Sequence, residues 1–396
     1  MRSVVIGSYG RTAFSRARPK EPQKDPFAPL TGEELLAGIV PQLLEEARVK
    51  PAEVNDFIVG CALGVGEQWT FGGRTTSLLC GLPAAVPGRF VDMQCGSGMA
   101  AIETACLQIA AGQAEIVVAG GMEHMTRVPV GPALFEKGLM KVNPKVYRRT
   151  ADWDMVTGLN MGLTAELLAE QQGLSRAAMD EFAVLSHQRA AAALDREFFR
   201  GEIFQVGGPG GKLAAELAID QSLRRETSSK DLAELRAVFK DDGRITAGNS
   251  SPLTSGAAAM VLMSEGAAKA RGLQPAARVL TTASAGVRPE LMGTGPVPAS
   301  RKALAQANLV VTDIKRWEIN EAFSAVVLHA VEQLGLNPDQ VNVNGGALAI
   351  GHPLGATGIR LVGTLARTLQ TEEVRYGCAT ACVGGGQGIA TLLEAC

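Results

Sequence analysis

The pattern of hydrophobic and polar positions alternates between two periods at both ends of the chain. Short and almost uninterrupted apolar runs predict buried strands, because strands covered on both faces show no polar alternation; in the first half they lie at 4–7, 56–61 and 115–119. Between them, residues 33–49 repeat apolar side chains at helical spacing. The second half repeats the rhythm, with strands predicted at 277–283, 316–320, 341–344, 374–380 and 388–393 and helices at 299–307, 322–334 and 354–369. The alternation predicts an α/β protein with helices on both faces of its sheets.

One unit of strand, Gly-rich turn, helix and strand occurs twice, at 90–121 and at 341–382. We interpret this as an internal duplication. The middle of the chain differs, because it carries Arg/Lys clusters and amphipathic stretches, with Ser175 a predicted cap for a helix over 176–199. We therefore predict a lid inserted in the first half. The predicted units are 1–122 together with 249–272, the inserted loop domain 123–248, and 273–396.

Composition narrows the classes of function. The net charge of −2 and the 5% aromatic content argue against a nucleic-acid partner, and no apolar run is long enough for a membrane span. The seven cysteines form no CxxC pair, so neither a metal site nor a disulfide framework is predicted. Reduced thiols and a strand-like start without a signal peptide predict a cytoplasmic globular protein.

Cys95 ends the strand-like run 89–94 and is followed by Gly-Ser-Gly and an Ala-rich helical stretch over 99–111. A thiol at such a junction lies beside the positive end of the helix dipole and unpaired N–H groups, which both favour thiolate. The turn also fits the dinucleotide pattern G-x-G-x-x-A, but the next strand ends in Ala119 and glycine instead of the acidic residue that would hold a ribose. A buried structural cysteine is the third interpretation, and the turn alone does not decide among them.

Three further motifs lie near the C-terminus. His352 stands within the glycine-rich segment 345–356, where a ligand can approach an imidazole able to accept a thiol proton and donate to an oxyanion. Cys382 precedes the glycines that begin at Gly384, whose N–H groups suit an oxyanion hole. Asn320 follows a strand and could hold a catalytic water. The alternatives are a helix-capping histidine, an inert thiol in a tight turn, and an Asn helix cap.

Together and in this order, these motifs resemble the thiolase family, and the resemblance extends through 121–125, 161–166, 246–251 and 292–300. It implies a five-layer α/β/α/β/α fold from two duplicated halves with an inserted loop domain. It also implies an acyl-CoA C-acyltransferase that cleaves 3-ketoacyl-CoA to acetyl-CoA and a shortened acyl-CoA, or runs the reverse Claisen condensation, through an S-acyl-cysteine. Coenzyme A is then a co-substrate, and no metal or tightly bound cofactor is expected.

The resemblance also implies roles for single residues. Cys95 is the nucleophile, His352 its base, and Cys382 the group that protonates the leaving enolate. His352 and a water on Asn320 form one oxyanion hole, and the N–H groups of Cys95 and Gly384 form the other. The implied contacts to coenzyme A are Ser251, Ala247, Ala322, Phe323, Met161, Met292 and Arg224.

Some positions depart from the family pattern, namely Asp92, Asn160, Ser255 and the longer Pro/Lys-rich segment 16–29. None belongs to the thiol–imidazole set, so substrate length and direction stay open. Residues 123–129 favour a degradative thiolase of fatty acid β-oxidation. The alternatives are a biosynthetic acetoacetyl-CoA thiolase, a decarboxylating condensing enzyme, which would not need Cys382, and a catalytically silent binding protein. A homodimer or homotetramer and a hydratase/dehydrogenase partner subunit are further implications.

Overall fold

The computed structural model describes residues 2–69, 71–206 and 217–396. The strands in these residues are β1 (Val4–Arg11), β2 (Ser15–Arg16), β3 (Asp56–Gly60), β4 (Gly88–Val91), β5 (Ile116–His124), β6 (Thr254–Ser264), β7 (Ala277–Gly286), β8 (Arg316–Ile319), β9 (Tyr376–Val383) and β10 (Gln387–Ala395). The helices are α1 (Gly32–Glu46), α2 (Gly73–Leu79), α3 (Ser97–Ala110), α4 (Pro132–Glu136), α5 (Met155–Gly158), α6 (Met161–Gln171), α7 (Arg176–Asp195), α8 (Ser229–Ala233), α9 (Glu265–Ala270), α10 (Pro296–Ala307), α11 (Ser324–Leu334), α12 (Ala347–Ile350) and α13 (Leu354–Thr371).

The strands are hydrogen-bonded in the order β4-β3-β5-β6-β1-β7-β10-β9-β8, with β2 paired to β6. In the first half β3 pairs parallel with β4 and β5, whereas β6 pairs antiparallel with β5 and β1. In the second half β8 and β9 are parallel and β10 is antiparallel to β9 and β7. Among the described residues, the strands of the two halves are hydrogen-bonded to each other through one short register of β1 and β7, Val4 with Val279 and Val5 with Arg278. The repeated pairing scheme confirms the predicted duplication.

Helices cover both faces of each half. Helices α3 and α13 share one apolar core with strands of both halves, so these two helices form the central layer. Helix α1 packs on the other face of the first half, and α10 and α11 pack on the other face of the second. This arrangement gives the five layers α/β/α/β/α that the resemblance implied.

The two central helices are in contact where each of them carries glycine. A Cβ placed on Gly358 of α13 would lie 2.3 Å from the backbone nitrogen of Met99, and one on Gly98 of α3 would lie 2.7 Å from the carbonyl oxygen of Gly355. Such distances exclude any larger residue without movement of the backbone. The glycines therefore let the N-terminal ends of α3 and α13 converge, and each end carries one of the candidate catalytic segments.

Two local predictions had different outcomes. Helix α7 begins as predicted, with Ser175 Oγ accepting a hydrogen bond from Ala178 N at 3.1 Å, although it ends earlier, at Asp195. The strand predicted over 341–344 is wrong, because only Val341 forms a single bridge, to Trp317. Asn342 has φ +48°, outside the extended region, and its side-chain amide bonds both backbone groups of Ile319 at 2.8 and 2.9 Å.

No helix in the described part of the chain combines the length and apolar character that crossing a membrane requires.

Candidate active site

Cys95 lies in a single 3-10 turn, Gln94–Gly96, directly before α3. Gln94 has φ +46°, and Asp92 Oδ1 accepts hydrogen bonds from its backbone N at 2.8 Å and from its Nε2 at 3.1 Å. On the other side, Ser97 Oγ donates to Gln94 O at 2.6 Å and accepts from Met93 N at 2.9 Å. The turn that carries the thiol is therefore fixed by side chains on both of its flanks.

Burial and hydrogen bonding act in opposite directions on the Cys95 thiol. Burial raises its pKa to about 11, although the backbone N–H groups of Gly384 and of Cys95 itself lower it by hydrogen bonding to the sulfur. The N–H groups therefore act in the direction that the sequence predicted, towards thiolate, but desolvation outweighs them. Those two N–H groups converge on the sulfur, next to the place where the carbonyl oxygen of an attacked substrate would carry the negative charge.

Cys382, near the end of β9, lies close to the first thiol. Strand β9 packs against the turn Gln94–Gly96, which brings Cys382 near Cys95. Burial raises the pKa of Cys382, and a negative charge on Cys95 would raise it further. Around Cys382 is an apolar cluster that includes Ala322, Phe323 and Met292, with Met161 packed against it. The structure therefore groups four of the predicted coenzyme A contacts around the second thiol.

His352 stands just before α13 and is held from two directions. Its Nδ1 lies 2.7 Å from Thr357 Oγ1, whose hydroxyl donates to Pro353 O at 3.0 Å. Because that hydroxyl proton is already engaged, Nδ1 carries the imidazole proton and Nε2 presents a lone pair. Burial lowers the His352 pKa to about 3, with the charge of Arg360 adding to the effect, which keeps the ring neutral. The backbone nitrogen of His352 donates to Thr254 Oγ1 at 3.0 Å.

Asn320 faces this histidine. Its Nδ2 lies 3.3 Å from His352 Nε2, and its backbone nitrogen donates to Thr380 O of β9 at 2.9 Å. The helix-cap interpretation of Asn320 is wrong, because α11 begins at Ser324 with Phe323 as its N-cap residue. Asn320 Oδ1 is buried without a partner among the described residues. A buried amide oxygen in that state is suited to accept a hydrogen bond from a water or a ligand.

Some of the predicted site residues are not in contact with the side chains described above. In the described residues no hydrogen bond links Cys95 Sγ to His352, although α13 packs against the turn Gln94–Gly96. Ser251 is attached to the apolar cluster through its backbone N, which donates to Ala322 O at 3.0 Å. Ala247 and Arg224 are exposed, outside that cluster.

Sequence reasoning missed Glu321, which holds the glycine-rich segment in front of His352. Its buried carboxylate accepts hydrogen bonds from Ser186 Oγ at 2.6 Å, Asn342 Nδ2 at 2.8 Å and Leu348 N at 3.1 Å. A Glu beside an Asn at a strand end resembles an ordinary first-turn acid, so the sequence offered no clear signal. Thr357 was detectable in principle, since a hydroxyl one helical turn after a proline carbonyl commonly bonds back to it.

The departures from the family pattern have local structural roles. Asn160 Oδ1 accepts from Leu163 N at 3.2 Å and so caps α6. Ser255 Oγ donates to Asp25 Oδ2 at 3.2 Å and lies 3.2 Å from His124 Nδ1. The longer segment 16–29 thus brings a carboxylate to Ser255. Across the described residues, no group of His, Cys, Asp and Glu side chains is arranged to hold a metal ion.

Comparisons with known proteins agree with this fold. The family described as "Thiolase, N-terminal domain" matches residues 4–266, and "Thiolase, C-terminal domain" matches residues 273–395. The chain is 42% identical to a 3-ketoacyl-CoA thiolase of Vibrio cholerae and 40% identical to an acetyl-CoA acetyltransferase of Cupriavidus necator, covering 100% of both proteins in each pair. The crystal structure of human mitochondrial 3-ketoacyl-CoA thiolase in complex with CoA superposes with a TM-score of 0.87 at 32% identity, covering 100% of this chain and 98% of that one.

Proposed function

This chain belongs to the thiolase family of acyltransferase enzymes, and we propose that it cleaves 3-ketoacyl-CoA through an acyl group on Cys95. The observation that carries the proposal is that two thiols, Cys95 and Cys382, are buried where the end of β9 packs against the turn Gln94–Gly96, with the Gly384 N–H on the Cys95 sulfur. A silent binding protein needs neither the second thiol nor the unprotonated Nε2 of His352. A decarboxylating condensing enzyme does not need Cys382 as an acid.

The first half-reaction uses the histidine as base. The Cys95 thiol proton passes to His352 Nε2, and the sulfur attacks the keto carbon of the substrate. The oxyanion that forms there accepts hydrogen bonds from the N–H groups of Cys95 and Gly384. When the intermediate collapses, the bond between the keto carbon and the α-carbon breaks. The acyl group stays on sulfur, and acetyl-CoA leaves as its enolate.

The second thiol then supplies a proton. Charge on the enolate oxygen is stabilised by the Nε2–H that His352 now carries and by a water bound to Asn320. The Cys382 thiol protonates the α-carbon and becomes a thiolate, which takes the proton of an incoming coenzyme A thiol. The coenzyme A thiolate formed in this way attacks the acyl group on Cys95. The Cys95 sulfur leaves as a thiolate and recovers its proton from His352. Burial helps here, since a raised pKa keeps the proton on Cys382 until a strong base is next to it.

Direction and substrate length are also part of the proposal. Asn160, at a position where short-chain biosynthetic thiolases often carry histidine, uses its side chain to cap α6. We therefore favour the degradative direction, within β-oxidation in the cytoplasm. The acetyl-CoA acetyltransferase reaction is the second candidate, because a protein of that name is as similar to this chain as several named 3-ketoacyl-CoA thiolases are.

The test is thiolysis of short, medium and long 3-ketoacyl-CoA substrates. We expect the wild-type chain to release acetyl-CoA, with rates that do not fall from the short to the medium chain. Cys95→Ser should be inactive, and Cys396→Ser, which removes an exposed thiol, should be unchanged. Activity on acetoacetyl-CoA alone would favour the biosynthetic candidate, and activity retained in Cys95→Ser would contradict the proposal.

The proposal also covers how copies of this chain assemble and what the inserted domain does. Strand β4 is a half-exposed edge, and Trp69 and Phe71 nearby are 56% and 85% exposed, so a homodimer through this edge is supported, alone or within a homotetramer. With 1–122 and 249–272 as the first half and 273–396 as the second, we propose that the inserted domain 123–248 is a lid on the first half; residues 207–216 lie outside the described residues. Light scattering would give the mass, and co-purification would test a hydratase/dehydrogenase subunit.

A further inference from the structure

We infer that Asp25 is a positioning residue for the catalytic histidine, and that it acts through a buried cluster of polar side chains. The inference rests on the proposed function and adds to it a residue that lies outside the catalytic motifs. Asp25 belongs to the longer segment 16–29, and Ser255 is another departure from the family pattern. The structure places these two side chains in direct contact, so the two departures form one unit.

The buried carboxylate of Asp25 accepts hydrogen bonds at both of its oxygens. Its Oδ1 accepts from Phe27 N at 2.9 Å, and its Oδ2 accepts from Ser255 Oγ at 3.2 Å and from the hydroxyl of Thr126. Ser255 Oγ also lies 3.2 Å from Nδ1 of His124. All these polar side chains are buried. Because Thr126 follows β5 and Ser255 lies at the start of β6, one carboxylate joins the ends of two neighbouring strands.

The cluster adjoins the contacts that hold the catalytic histidine. Thr254 N donates to Met125 Sδ at 3.3 Å, and Thr254 Oγ1 accepts from His352 N at 3.0 Å. Thr254 also packs closely on the preceding residue, because a Cβ on Gly351, which has φ +108°, would lie 2.7 Å from Thr254 Cγ2. The Asp25 carboxylate bonds the residue that follows Met125 and the residue that follows Thr254. The position of His352 therefore depends on Asp25.

The cluster needs one carboxylate, and the geometry allows that group to come from either of two positions. Phe27 N and two hydroxyls converge as donors, and removal of the carboxylate would leave buried donors without an acceptor. Since Ser255 Oγ and Asp25 Oδ2 are 3.2 Å apart, an exchange of the two side chains keeps one carboxylate and one hydroxyl in the same space. Two carboxylates there would repel each other. The two positions should therefore depend on each other.

The test measures thiolysis of acetoacetyl-CoA and thermal unfolding for Asp25→Ser, Ser255→Asp and the variant that carries both changes. We expect kcat to fall about tenfold or more in each single variant, with little change in KM, because the histidine is displaced while the substrate pocket is kept. The double variant should recover to within about threefold of the wild-type kcat, since contacting positions are not additive. Asp25→Asn replaces Asp25→Ser if the serine variant does not fold.

The matched control is Asp56→Ser. Asp56 is also a buried carboxylate that accepts from a backbone nitrogen, that of Phe57 at 2.9 Å. It is paired with Val117 at the start of β5, whereas His124 is at the end of that strand. Asp56→Ser should therefore lower the unfolding temperature as Asp25→Ser does and keep the wild-type kcat. Hydrogen exchange of the peptide that contains His352 should be faster in Asp25→Ser and unchanged in the control.

Each other outcome overturns the inference. Wild-type kcat in Asp25→Ser would show that the histidine does not depend on this carboxylate. Losses that add up in the double variant, or an equal loss of kcat in Asp56→Ser, would reduce Asp25 to a contribution to fold stability. If the wild-type protein cleaves no ketoacyl thioester, the proposed function fails, and hydrogen exchange then decides on Asp25 alone, since unchanged protection of the peptide with His352 would refute its role.

Discussion

Replacing Thr357 by Val tests how the site sets the protonation of its histidine. The Thr357 hydroxyl is the acceptor for the His352 Nδ1 proton at 2.7 Å, and both residues are buried. Valine removes that acceptor while keeping a branched side chain of similar size. The proton then either stays on Nδ1 without a partner or moves to Nε2, where the Asn320 amide, which now presents Nδ2, must turn over to accept it with Oδ1.

The magnitude follows from the cost of a buried unpaired donor. Leaving such a group unsatisfied costs about 1–3 kcal/mol, and a tautomer change to relieve it removes the base. If that cost appears in the transition state, kcat falls by a factor of about 5 to 150. KM should change little, because Thr357 lies behind the imidazole and bonds only His352 and Pro353 in the described structure.

The assay is steady-state thiolysis of acetoacetyl-CoA, together with thermal unfolding of the same samples. Thr357→Ser restores a hydroxyl and should recover most of the lost kcat, while Thr357→Val should unfold near the wild-type temperature. A Val variant with wild-type kcat would refute the assignment of the Nδ1 proton. A Ser variant as slow as the Val variant would show that packing, not the hydrogen bond, matters at this position.

Three shorter predictions follow from the same geometry. Gly358→Ala should lower the free energy of unfolding by about 1–3 kcal/mol or more in chemical denaturation, because its Cβ would lie 2.3 Å from Met99 N; a neutral effect would contradict the close helix contact. Alkylation of Cys95 by iodoacetamide should accelerate about tenfold per unit between about pH 7 and 10, since the thiolate fraction rises towards a pKa of about 11, and a plateau below about pH 8 would contradict the neutral thiol. Cys382→Ser should lose exchange of acetyl-CoA α-protons by about 100-fold or more, measured by deuterium uptake, whereas full exchange would remove its role as acid and base.

The sequence predicted the plan of the fold because the pattern of apolar runs is set by burial. Strands hidden on both faces and helices at their own spacing identify the two α/β halves without any knowledge of tertiary contacts. The failure at 341–344 has a physical cause, since Asn342 adopts a positive φ and bonds the neighbouring strand through its side chain. A local apolar run cannot reveal such a side-chain bond to a distant segment.

The candidate catalytic residues were predicted from the sequence, but the side chains that hold them in place were not. Cys95, Cys382 and His352 stand in glycine-rich segments, and Asn320 follows a predicted strand, so all four positions can be recognised in the sequence. Their protonation states depend also on burial, which the sequence does not show: the N–H groups at Cys95 lower its pKa as expected, but desolvation raises it by more. Glu321 and Thr357 act through contacts that only the folded chain displays.

The most direct measurement is mass spectrometry of the protein quenched after mixing with acetoacetyl-CoA without free coenzyme A, followed by peptide mapping of the modified thiol. We expect one acetyl group, on the peptide that contains Cys95, which disappears when free coenzyme A is added. An acetyl group on Cys382 or on another cysteine, or turnover with no acylated cysteine at any time, would contradict the central claim that Cys95 carries the acyl group.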